Sequence, residues 1–372
     1  MTRVTETLRD LLQTLLRMVP WPTEPGLRVI GNPGRESPVV ITCNYDLTVR
    51  RLTRALRGID AWLVVAPSRG INVWCAAAGG LLTTSQVVTA LKTCGIEGRV
   101  QQRRAIAPQL AATGVVASEV ARRCGWKIRF GPVYAEDLPR YLRGSSRKDE
   151  SMRRVRFGWD ERAQMAAAWG FPTSVVLGLA FAIAQPAWAI AIVAQTWAMS
   201  LACFFVYDRM GRGRWPLMWA AATACSLGAV AAGDGGGAAL ATAAGSTTLI
   251  MAVLTYDFAG GTPIEGGSHF EARQWHITLD PGRCEGVYSC WEVCPEACFA
   301  KHEETRKVEI AHASRCVKCG ACVVQCPQDA LFFTDQDGRR IEPDVIRRYK
   351  LNLLGHRFET GETGDSGETT AN

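Results

Sequence analysis

The sequence predicts three regions of different fold class: a Rossmann-like α/β domain, a bundle of four apolar helices, and a small α+β domain rich in cysteine. Three observations predict them. Strand-like and helix-like segments alternate between residues 26 and 150. Long apolar runs fill residues 166–260, and eight of the 14 cysteines then fall between Cys284 and Cys326.

Charge divides the chain at the same places. Residues 1–165 contain 26 Lys+Arg against 14 Asp+Glu, residues 166–260 contain three of each, and residues 261–372 contain 13 against 18. No helix–turn–helix, zinc-finger or aromatic-platform pattern accompanies the basic excess, so we expect no nucleic-acid partner. The arginines are instead typical of the cytoplasmic side of a membrane.

Residues 1–25 form an amphipathic N-terminal segment. Leu8, Leu11, Leu12 and Leu15 recur at helical spacing, and the apolar core of a cleavable signal peptide is not seen. Disulfides are therefore not expected for the cysteine cluster, and metal ligation is favoured.

The α/β domain is predicted over residues 26–150. Strands are predicted over residues 38–43, 61–66, 104–107 and 126–130. Helices are predicted over residues 46–57, 84–94, 117–124 and 137–143. Their alternation indicates a doubly wound sheet. A basic linker over residues 151–165 leads into the apolar region.

A single cysteine stands beyond the carboxyl end of the second predicted strand. Cys75 lies in the stretch GINVWCAAAGG, residues 70–80, between a strand and a helix. Ligands of α/β sheets bind at such junctions, and small neighbours leave room for a large flat group. The alternative is a buried structural cysteine, because free cysteine is among the most buried residue types.

The apolar runs predict four transmembrane helices, at about 166–184, 187–206, 215–233 and 238–258. Each is close to the ~20 residues that cross a bilayer, although a buried soluble bundle shares this composition. Their interiors contain no Lys, Arg, His or Glu, which argues against an ion-coupled transporter and indicates an anchor. The positive-inside rule puts both flanking domains in the cytoplasm, at the inner membrane.

The cysteines of residues 261–355 predict an iron–sulfur domain. Residues 316–327 read CVKCGACVVQCP, the C-x2-C-x2-C-x3-C-P run of two-cluster bacterial ferredoxins. The fourth cysteine of each run ligates the other cluster, so one 4Fe–4S set is complete: Cys316, Cys319, Cys322 and Cys294. A zinc site needs a different pairing of ligands and does not explain the proline.

The second cluster site lacks one cysteine. Cys284, Cys290 and Cys326 belong to it, but Val287 occupies the remaining position. Three outcomes stay open: a 3Fe–4S cluster, a 4Fe–4S cluster completed by Cys298, or an empty site. In each case the domain predicts electron transfer, with an external electron donor as a partner. A disordered acidic tail is predicted over residues 356–372.

Residues 70–77 resemble the cap-helix motif of the mercury-methylating corrinoid proteins of the HgcA family, which is related to the corrinoid iron–sulfur protein of the acetyl-CoA pathway. The α/β region contains no G-x-G-x-x-G turn, so a dinucleotide cofactor is not expected. The sequence contains no His before His269, so a His-ligated cofactor is not expected there either. Further similar segments lie at 31–33, 36–38, 42–45, 108–110, 114–117, 131–133, 137–139, 152–157 and 258–263. The cysteine-rich domain resembles HgcB, the ferredoxin partner of that family, here fused to the same chain.

The resemblance implies a corrinoid-dependent methyltransferase with a cobamide cofactor. It makes Cys75 the thiolate ligand of cobalt. The other implied cofactor-binding residues are Asn72, Val73, Trp74, Ala76, Ala77, Thr42 and Asn44. A thiolate below cobalt favours methyl transfer to Hg(II) or another soft acceptor, and the fused ferredoxin would restore the reduced cobalt. A methyl-folate-type corrinoid methylation system is the implied methyl donor.

The chain departs from the family pattern at three points. Ala78-Gly79 replaces a glycine-lysine pair, Val287 replaces a cluster cysteine, and the tail lacks the partner's cysteine pair for mercury transfer. The remaining candidates for a metal relay are Cys298, Cys203 and Cys225. Two alternatives therefore stay open: a related methyl carrier in one-carbon or metalloid metabolism, and a membrane ferredoxin without corrinoid.

Overall fold

The structure is a computed structural model that describes residues 3–17, 19–144, 146–206, 215–233, 235–256, 275–302, 304–351 and 357–359. The similar segment at 258–263 and most of the predicted tail lie outside these ranges. The chain divides into two compact units. One contains the N-terminal segment and Arg156–Gly260, and the other contains the α/β domain together with the cysteine-rich domain.

Five strands form the sheet of the α/β domain: β1 (Gly26–Ile30), β2 (Val39–Cys43), β3 (Ala61–Ala66), β4 (Arg104–Ala107) and β5 (Lys127–Phe130). Their order is β1-β3-β2-β4-β5, and all neighbours are parallel except β1 and β3. The predicted α/β class is confirmed, and the sheet is parallel except at its edge strand β1. The antiparallel edge strand β1 was not predicted, because its half-exposed residues lack the continuous apolar run of β2 and β3.

Most helices of the first 155 residues correspond to predicted segments, but the one at Glu150–Arg153, at the start of the predicted linker, was not predicted. The helices are α1 (Arg3–Leu15), α2 (Asp46–Ala55), α3 (Val73–Ala78), α4 (Thr84–Thr93), α5 (Ala117–Cys124), α6 (Leu138–Arg143) and α7 (Glu150–Arg153). Helix α4 is followed by Gly95 and α5 by Gly125, both in the left-handed conformation that glycine adopts at little cost. A 3-10 helix, Gln109–Thr113, follows β4.

The strand order creates a switch point between β2 and β4. The chain leaves β2 toward β3 on one side, and β4 lies on the other side of β2. Ligands of open α/β sheets bind in the crevice outside the carboxyl ends of such strands. The loops after β2, β3 and β4 therefore surround the expected binding edge.

Four apolar helices make up most of the first unit: α8 (Trp159–Ala184), α9 (Pro186–Val206), α10 (Trp215–Ala232) and α11 (Gly237–Tyr256). In the described ranges, three are long and apolar enough to cross a membrane, namely α8, α9 and the Gly237–Leu254 part of α11. The apolar part of α10, Pro216–Ala232, is shorter. Four spans therefore stay a prediction, while three candidate spans are found.

Helix α8 begins at Trp159, inside the predicted linker, instead of near residue 166. The backbone N–H of Gly158 donates to the Glu161 carboxylate at 2.6 Å, which is the half of a capping box that a glycine N-cap can form. Asp160 and Glu161 also place negative charge in the first turn, where the helix dipole favours it. The helix start near residue 166 was predicted from the apolar run alone, and that run does not include the charged first turn.

The cysteine-rich domain combines short helices with three small antiparallel sheets. Its helices are α12 (Ser289–Val293), α13 (Ala321–Val324) and α14 (Pro343–Arg348). Its strands are β6 (His276–Leu279), β7 (Phe299–Lys301), β8 (Val308–Ile310), β9 (Leu331–Thr334), β10 (Arg340–Ile341), β11 (Tyr349–Leu351) and β12 (Arg357–Glu359). The sheets are β10-β9-β6, β7-β8 and β11-β12. Because β12 pairs with β11, the prediction of disorder from residue 356 onward is wrong for residues 357–359.

Candidate functional site

The chain turns sharply between β3 and α3. Gly70 has a φ of +72°, and a Cβ atom there would overlap the backbone of Pro22, so the position requires glycine. The Asn72 side chain then caps α3, because its Oδ1 accepts a hydrogen bond from the backbone N–H of Cys75 at 3.1 Å. Cys75 thus lies in the first turn of a short helix at the carboxyl edge of the sheet.

The two faces of α3 differ in exposure. Val73, Ala76 and Ala77 are buried, whereas Trp74 is half-buried and Cys75 is exposed. The alternative of a buried structural cysteine is therefore wrong. The small residues seat the helix on the core and leave the thiol facing outward, while cofactor contact by the residues of this helix stays a prediction.

Asn44 holds the loop that precedes α3. Its Oδ1 accepts hydrogen bonds from the backbone N–H groups of Ser68 at 2.8 Å and Gly70 at 2.9 Å, and from the Ser68 hydroxyl at 2.9 Å. Its Nδ2 donates to the backbone oxygen of Thr23 at 3.0 Å. Thr42, near the end of β2, is buried. These contacts order the loop, and the predicted cofactor contacts of Thr42 and Asn44 stay predictions.

The 3-10 helix after β4 packs directly against α3. Gly114 makes this approach possible, because a Cβ atom there would overlap the backbone oxygen of Leu82 and lie 2.7 Å from that of Ala77. The switch-point edge therefore has two adjacent short helices, one carrying Cys75 and the other beginning at Gln109.

Five cysteines line one cavity in the cysteine-rich domain, and four of them form the predicted 4Fe–4S ligand set. We call Cys294, Cys316, Cys319 and Cys322 the complete set, and apolar side chains such as Phe333 close the cavity around them. Within the described ranges, no three His, Cys, Asp or Glu side chains converge on a single metal ion. The spacing of these cysteines in the sequence favours a 4Fe–4S cluster over a zinc ion.

Cys298 lies beside the complete set. It lines the same cavity, its backbone N–H points to the Cys294 sulfur at 3.3 Å, and its thiol also faces the Cys316 sulfur. This placement does not favour the alternative in which Cys298 completes the second site.

We call Cys284, Cys290 and Cys326 the second set. Cys290 lies close enough to Cys284 and Cys326 for their negative charge to add to the rise of its pKa. Val287, at the position of the missing cysteine, is 54% exposed.

Burial and hydrogen bonding shift the pKa values of the cluster cysteines in opposite directions. Desolvation raises the pKa of Cys290 to about 12 and raises the pKa values of Cys319 and Cys322 as well. The pKa of Cys294 instead falls to about 7, because the Cys298 thiol donates a hydrogen bond to its sulfur. Iron binding must therefore displace protons from buried thiols, so we expect cluster assembly to be favoured at higher pH.

The complete set lies against the α/β domain. Cys319 and its neighbour Ala321 belong to the same buried cluster as the core of that domain, as does Val293, which precedes Cys294. Gln325 adds hydrogen bonds across the contact. Its Nε2 donates to the backbone oxygens of Ala112 at 2.9 Å and Val115 at 2.6 Å. The cavity is thus joined to the 3-10 helix that packs on α3.

A second group of contacts joins the segment before α8 to α12. The Arg153 guanidinium lies over the Trp291 ring at 3.4 Å and donates to the Trp291 backbone oxygen at 3.0 Å. Lys148 Nζ donates to Gln109 Oε1 and to the Glu292 backbone oxygen, both at 2.8 Å. Sequence reasoning missed these residues. Gln109 and Arg153 lie in segments that resemble the HgcA family, but no role was predicted for either residue. No sequence pattern indicates a role for Lys148.

Two parts of the chain match known protein families. Residues 5–142 match the family model described as CO dehydrogenase/acetyl-CoA synthase delta subunit, and residues 310–332 match the 4Fe-4S binding domain model. The acetyl-CoA decarbonylase/synthase complex subunit gamma of Archaeoglobus fulgidus is 38% identical over 133 residues, which are 35% of this chain and 27% of that protein. The corresponding subunit of Methanopyrus kandleri is 34% identical over 125 residues, 33% of this chain and 27% of that protein.

The chain spans only about a quarter of the length of these two curated relatives. The matched part is nevertheless the α/β domain that contains Cys75, and the second matched part contains the complete set except Cys294. The resemblance to acetyl-CoA pathway proteins and the 4Fe–4S character of the C-terminal domain are confirmed. The mercury-specific part of the resemblance stays a prediction.

Proposed function

We propose that this chain is a membrane-anchored corrinoid methyl carrier, a corrinoid-dependent methyltransferase whose fused ferredoxin domain supplies its electrons. The observation that carries the proposal is the position of Cys75. Its exposed thiol stands on α3 at the switch-point edge, and the complete set is docked on the 3-10 helix next to it. The matches of the α/β domain to acetyl-CoA decarbonylase/synthase subunits support the same chemistry.

The residues present fit the two proposed groups. Cys75 offers a sulfur ligand on an open surface, and the four cysteines of the complete set line one cavity together with Cys298. A corrinoid at Cys75 would supply a cobalt centre that carries the methyl group and accepts electrons. The complete set would hold a 4Fe–4S cluster. The second set, with three cysteines, would hold a 3Fe–4S cluster or none.

The protein itself would act by orientation. Asn72 fixes the backbone of Cys75, and Asn44 fixes the loop before it. Gln325 and Gln109 hold the cysteine-rich domain on the α/β domain. The electron donor site and the acceptor site are therefore kept together without a diffusional encounter, which raises their effective concentration.

For the methyl acceptor we propose Hg(II) or a similarly soft cation. A sulfur ligand in place of an imidazole donates more electron density, and residues 70–77 carry the resemblance to mercury-methylating proteins. A second candidate is a methyl carrier of one-carbon metabolism, which the names of the curated relatives favour. Either function needs a methyl-donating corrinoid or folate system and an external electron donor, with both soluble domains on the cytoplasmic face of the membrane.

The test uses anaerobically purified full-length protein supplied with a cobamide and an isotopically labelled methyl donor. We expect stoichiometric cobalt and label in methylmercury after addition of Hg(II). Label transferred only to a folate or a thiol acceptor would overturn the mercury proposal and support the second candidate. Intact iron–sulfur absorption without any cobalt would overturn both and leave a membrane ferredoxin.

A further inference from the structure

Sulfur atoms are concentrated in the core of the apolar helices. Met199 and Cys203 on α9, Met218 on α10 and Met251 on α11 belong to one buried cluster, which we call the sulfur cluster. The Cys203 Sγ lies 3.8 Å from the Met251 Sδ. Three helices therefore contribute a thiol and three thioethers to one buried cluster, in which the sulfur atoms of Cys203 and Met251 are in contact.

The composition of this cluster is unusual for the chain. Three of the five methionines that the structure describes lie in it, and all four sulfur residues are less than 10% exposed. Met199 and Cys203 are four residues apart on α9, so they lie on the same face of that helix. The rest of the buried cluster, Ile250 and Leu254, is aliphatic.

Several polar side chains of the same bundle form hydrogen bonds with one another. Gln195 Nε2 donates to Ser226 Oγ at 3.1 Å and to Thr247 Oγ1 at 2.8 Å, and Ser246 Oγ donates to Gln195 Oε1 at 2.8 Å. These interhelical hydrogen bonds join α9, α10 and α11. Helices α9, α10 and α11, which carry the sulfur residues, contain no Asp, Glu, His, Lys or Arg and therefore offer no carboxylate, imidazole or amine.

Thiolate and thioether ligands without hard donors select soft metals such as Cu(I). A charged group inside an apolar bundle is costly, so the overall charge of a site matters. When a monovalent cation binds, it replaces the proton of the Cys203 thiol, and the proton leaves to water. The cation and the thiolate then form a neutral pair. A divalent cation on one thiolate would leave a net charge of about +1 in the bundle.

We propose that Cys203, Met199, Met218 and Met251 form an intramembrane site for one monovalent soft cation. Two sources share this chemistry: a bare ion such as Cu(I) or Ag(I), and an organomercury cation such as CH3Hg+. The site is separate from Cys75 and from the cluster cysteines, and it does not depend on the corrinoid proposal.

The first test titrates Cu(I) into full-length protein in detergent, with intact iron–sulfur clusters confirmed by visible absorption. A chromophoric Cu(I) chelator competes for the ion. We expect the wild-type protein to retain one equivalent more than Cys203→Ala. Met251→Leu, which nearly conserves side-chain volume, is expected to weaken retention by about tenfold or more. The matched control is Cys225→Ala, on the exposed side of α10, which should behave as wild type.

The second test repeats the comparison with CH3Hg+ and maps the protected thiol by alkylation and mass spectrometry. Protection of Cys203 by either probe supports the site, and the probe that protects identifies the source. A bare ion should need the methionines, whereas CH3Hg+ should need mainly Cys203. Equal retention of both probes by wild type and Cys203→Ala would overturn the proposal. Cobalt content should be the same in both proteins, so the failure of this proposal is distinguishable from failure of the corrinoid proposal.

Discussion

The guanidinium of Arg153 stacks on the indole ring of Trp291, with a distance of 3.4 Å from the guanidinium carbon to the ring centroid. Arg153 is only 6% exposed, and burial lowers the pKa of its guanidinium. Trp291 lies between two cluster cysteines, Cys290 and Cys294. This pair therefore joins the segment before α8 to the iron–sulfur domain at the place where the two sets of cysteines meet in the sequence.

We expect Arg153→Ala to weaken the attachment of the iron–sulfur domain by about 2–3 kcal/mol, because it removes a desolvated cation–π contact and a charged hydrogen bond. Arg153→Lys should recover only part of the loss, since an ammonium group lacks the planar stacking surface. Limited proteolysis and denaturant unfolding measure the effect. The exposed Arg147→Ala serves as the control. Equal unfolding of all three variants would contradict this role of Arg153.

Lys148 predicts a pH dependence of stability. Burial is the main cause that lowers the pKa of its amine to about 7, with Arg153 adding to the fall and Glu292 opposing it. Between pH 7 and the unfolded value of 10.5, the unfolded chain binds a proton that the folded chain does not. The contribution of Lys148 to stability therefore rises with pH across this window and is least favourable below pH 7.

The measurement is urea unfolding of wild type and Lys148→Met at pH 6.5 and pH 9, values chosen on either side of about pH 7. The wild type should gain more stability than the variant as the pH rises. Lys127→Met is the control because Lys127 is exposed on β5. An identical pH response of wild type and Lys148→Met would show that the Lys148 amine is not desolvated.

Gly114→Ala tests the packing of the 3-10 helix on α3. The added Cβ would meet backbone oxygen atoms of Leu82 and Ala77, which do not move independently of their chain. We expect a loss of about 1–3 kcal/mol and less cobalt per chain, because α3 must shift. Gly98→Ala is the matched control, since no atom lies within 4 Å of the added Cβ. Equal cobalt content in both variants would contradict the link between this packing and the cofactor site.

Cys298→Ala tests which thiols hold iron. Because Cys298 is a fifth thiol beside the complete set, we expect the variant to keep that cluster, whereas Cys322→Ala should lose about four iron atoms. Iron analysis and the low-temperature paramagnetic resonance spectrum distinguish the two. If Cys298→Ala loses as much iron as Cys322→Ala does, Cys298 is itself a ligand.

The predictable parts of this protein are those with a local pattern. The buried run of β3 and the small residues of α3 located Cys75, and the spacing of the cysteines located the complete set. The start of α8 was missed because Gly158 and Glu161 form a cap within a charged stretch. Hydropathy does not report such a cap.

The docking contacts were missed for a different reason. The hydrogen bonds of Gln109 to Val293 and of Gln325 to Ala112 join residues about two hundred positions apart. Such pairs follow from the tertiary fold, and a single sequence contains no local pattern for them. The exposure of Cys75 likewise follows from the tertiary fold. The sequence alone left open whether this thiol faces the core or the outside.

The most direct test of the central claim compares cobalt content and the ultraviolet–visible spectrum of wild type, Cys75→Ala and Cys94→Ala, all purified anaerobically with a cobamide supply. Cys94 is a half-buried cysteine of the same domain and serves as the control. We predict stoichiometric cobalt with the same spectrum in wild type and Cys94→Ala, and loss of the sulfur-ligated spectrum in Cys75→Ala. Cobalt with an unchanged spectrum in Cys75→Ala, or no cobalt in any of the three proteins despite intact clusters, would contradict the assignment of Cys75 as the corrinoid ligand.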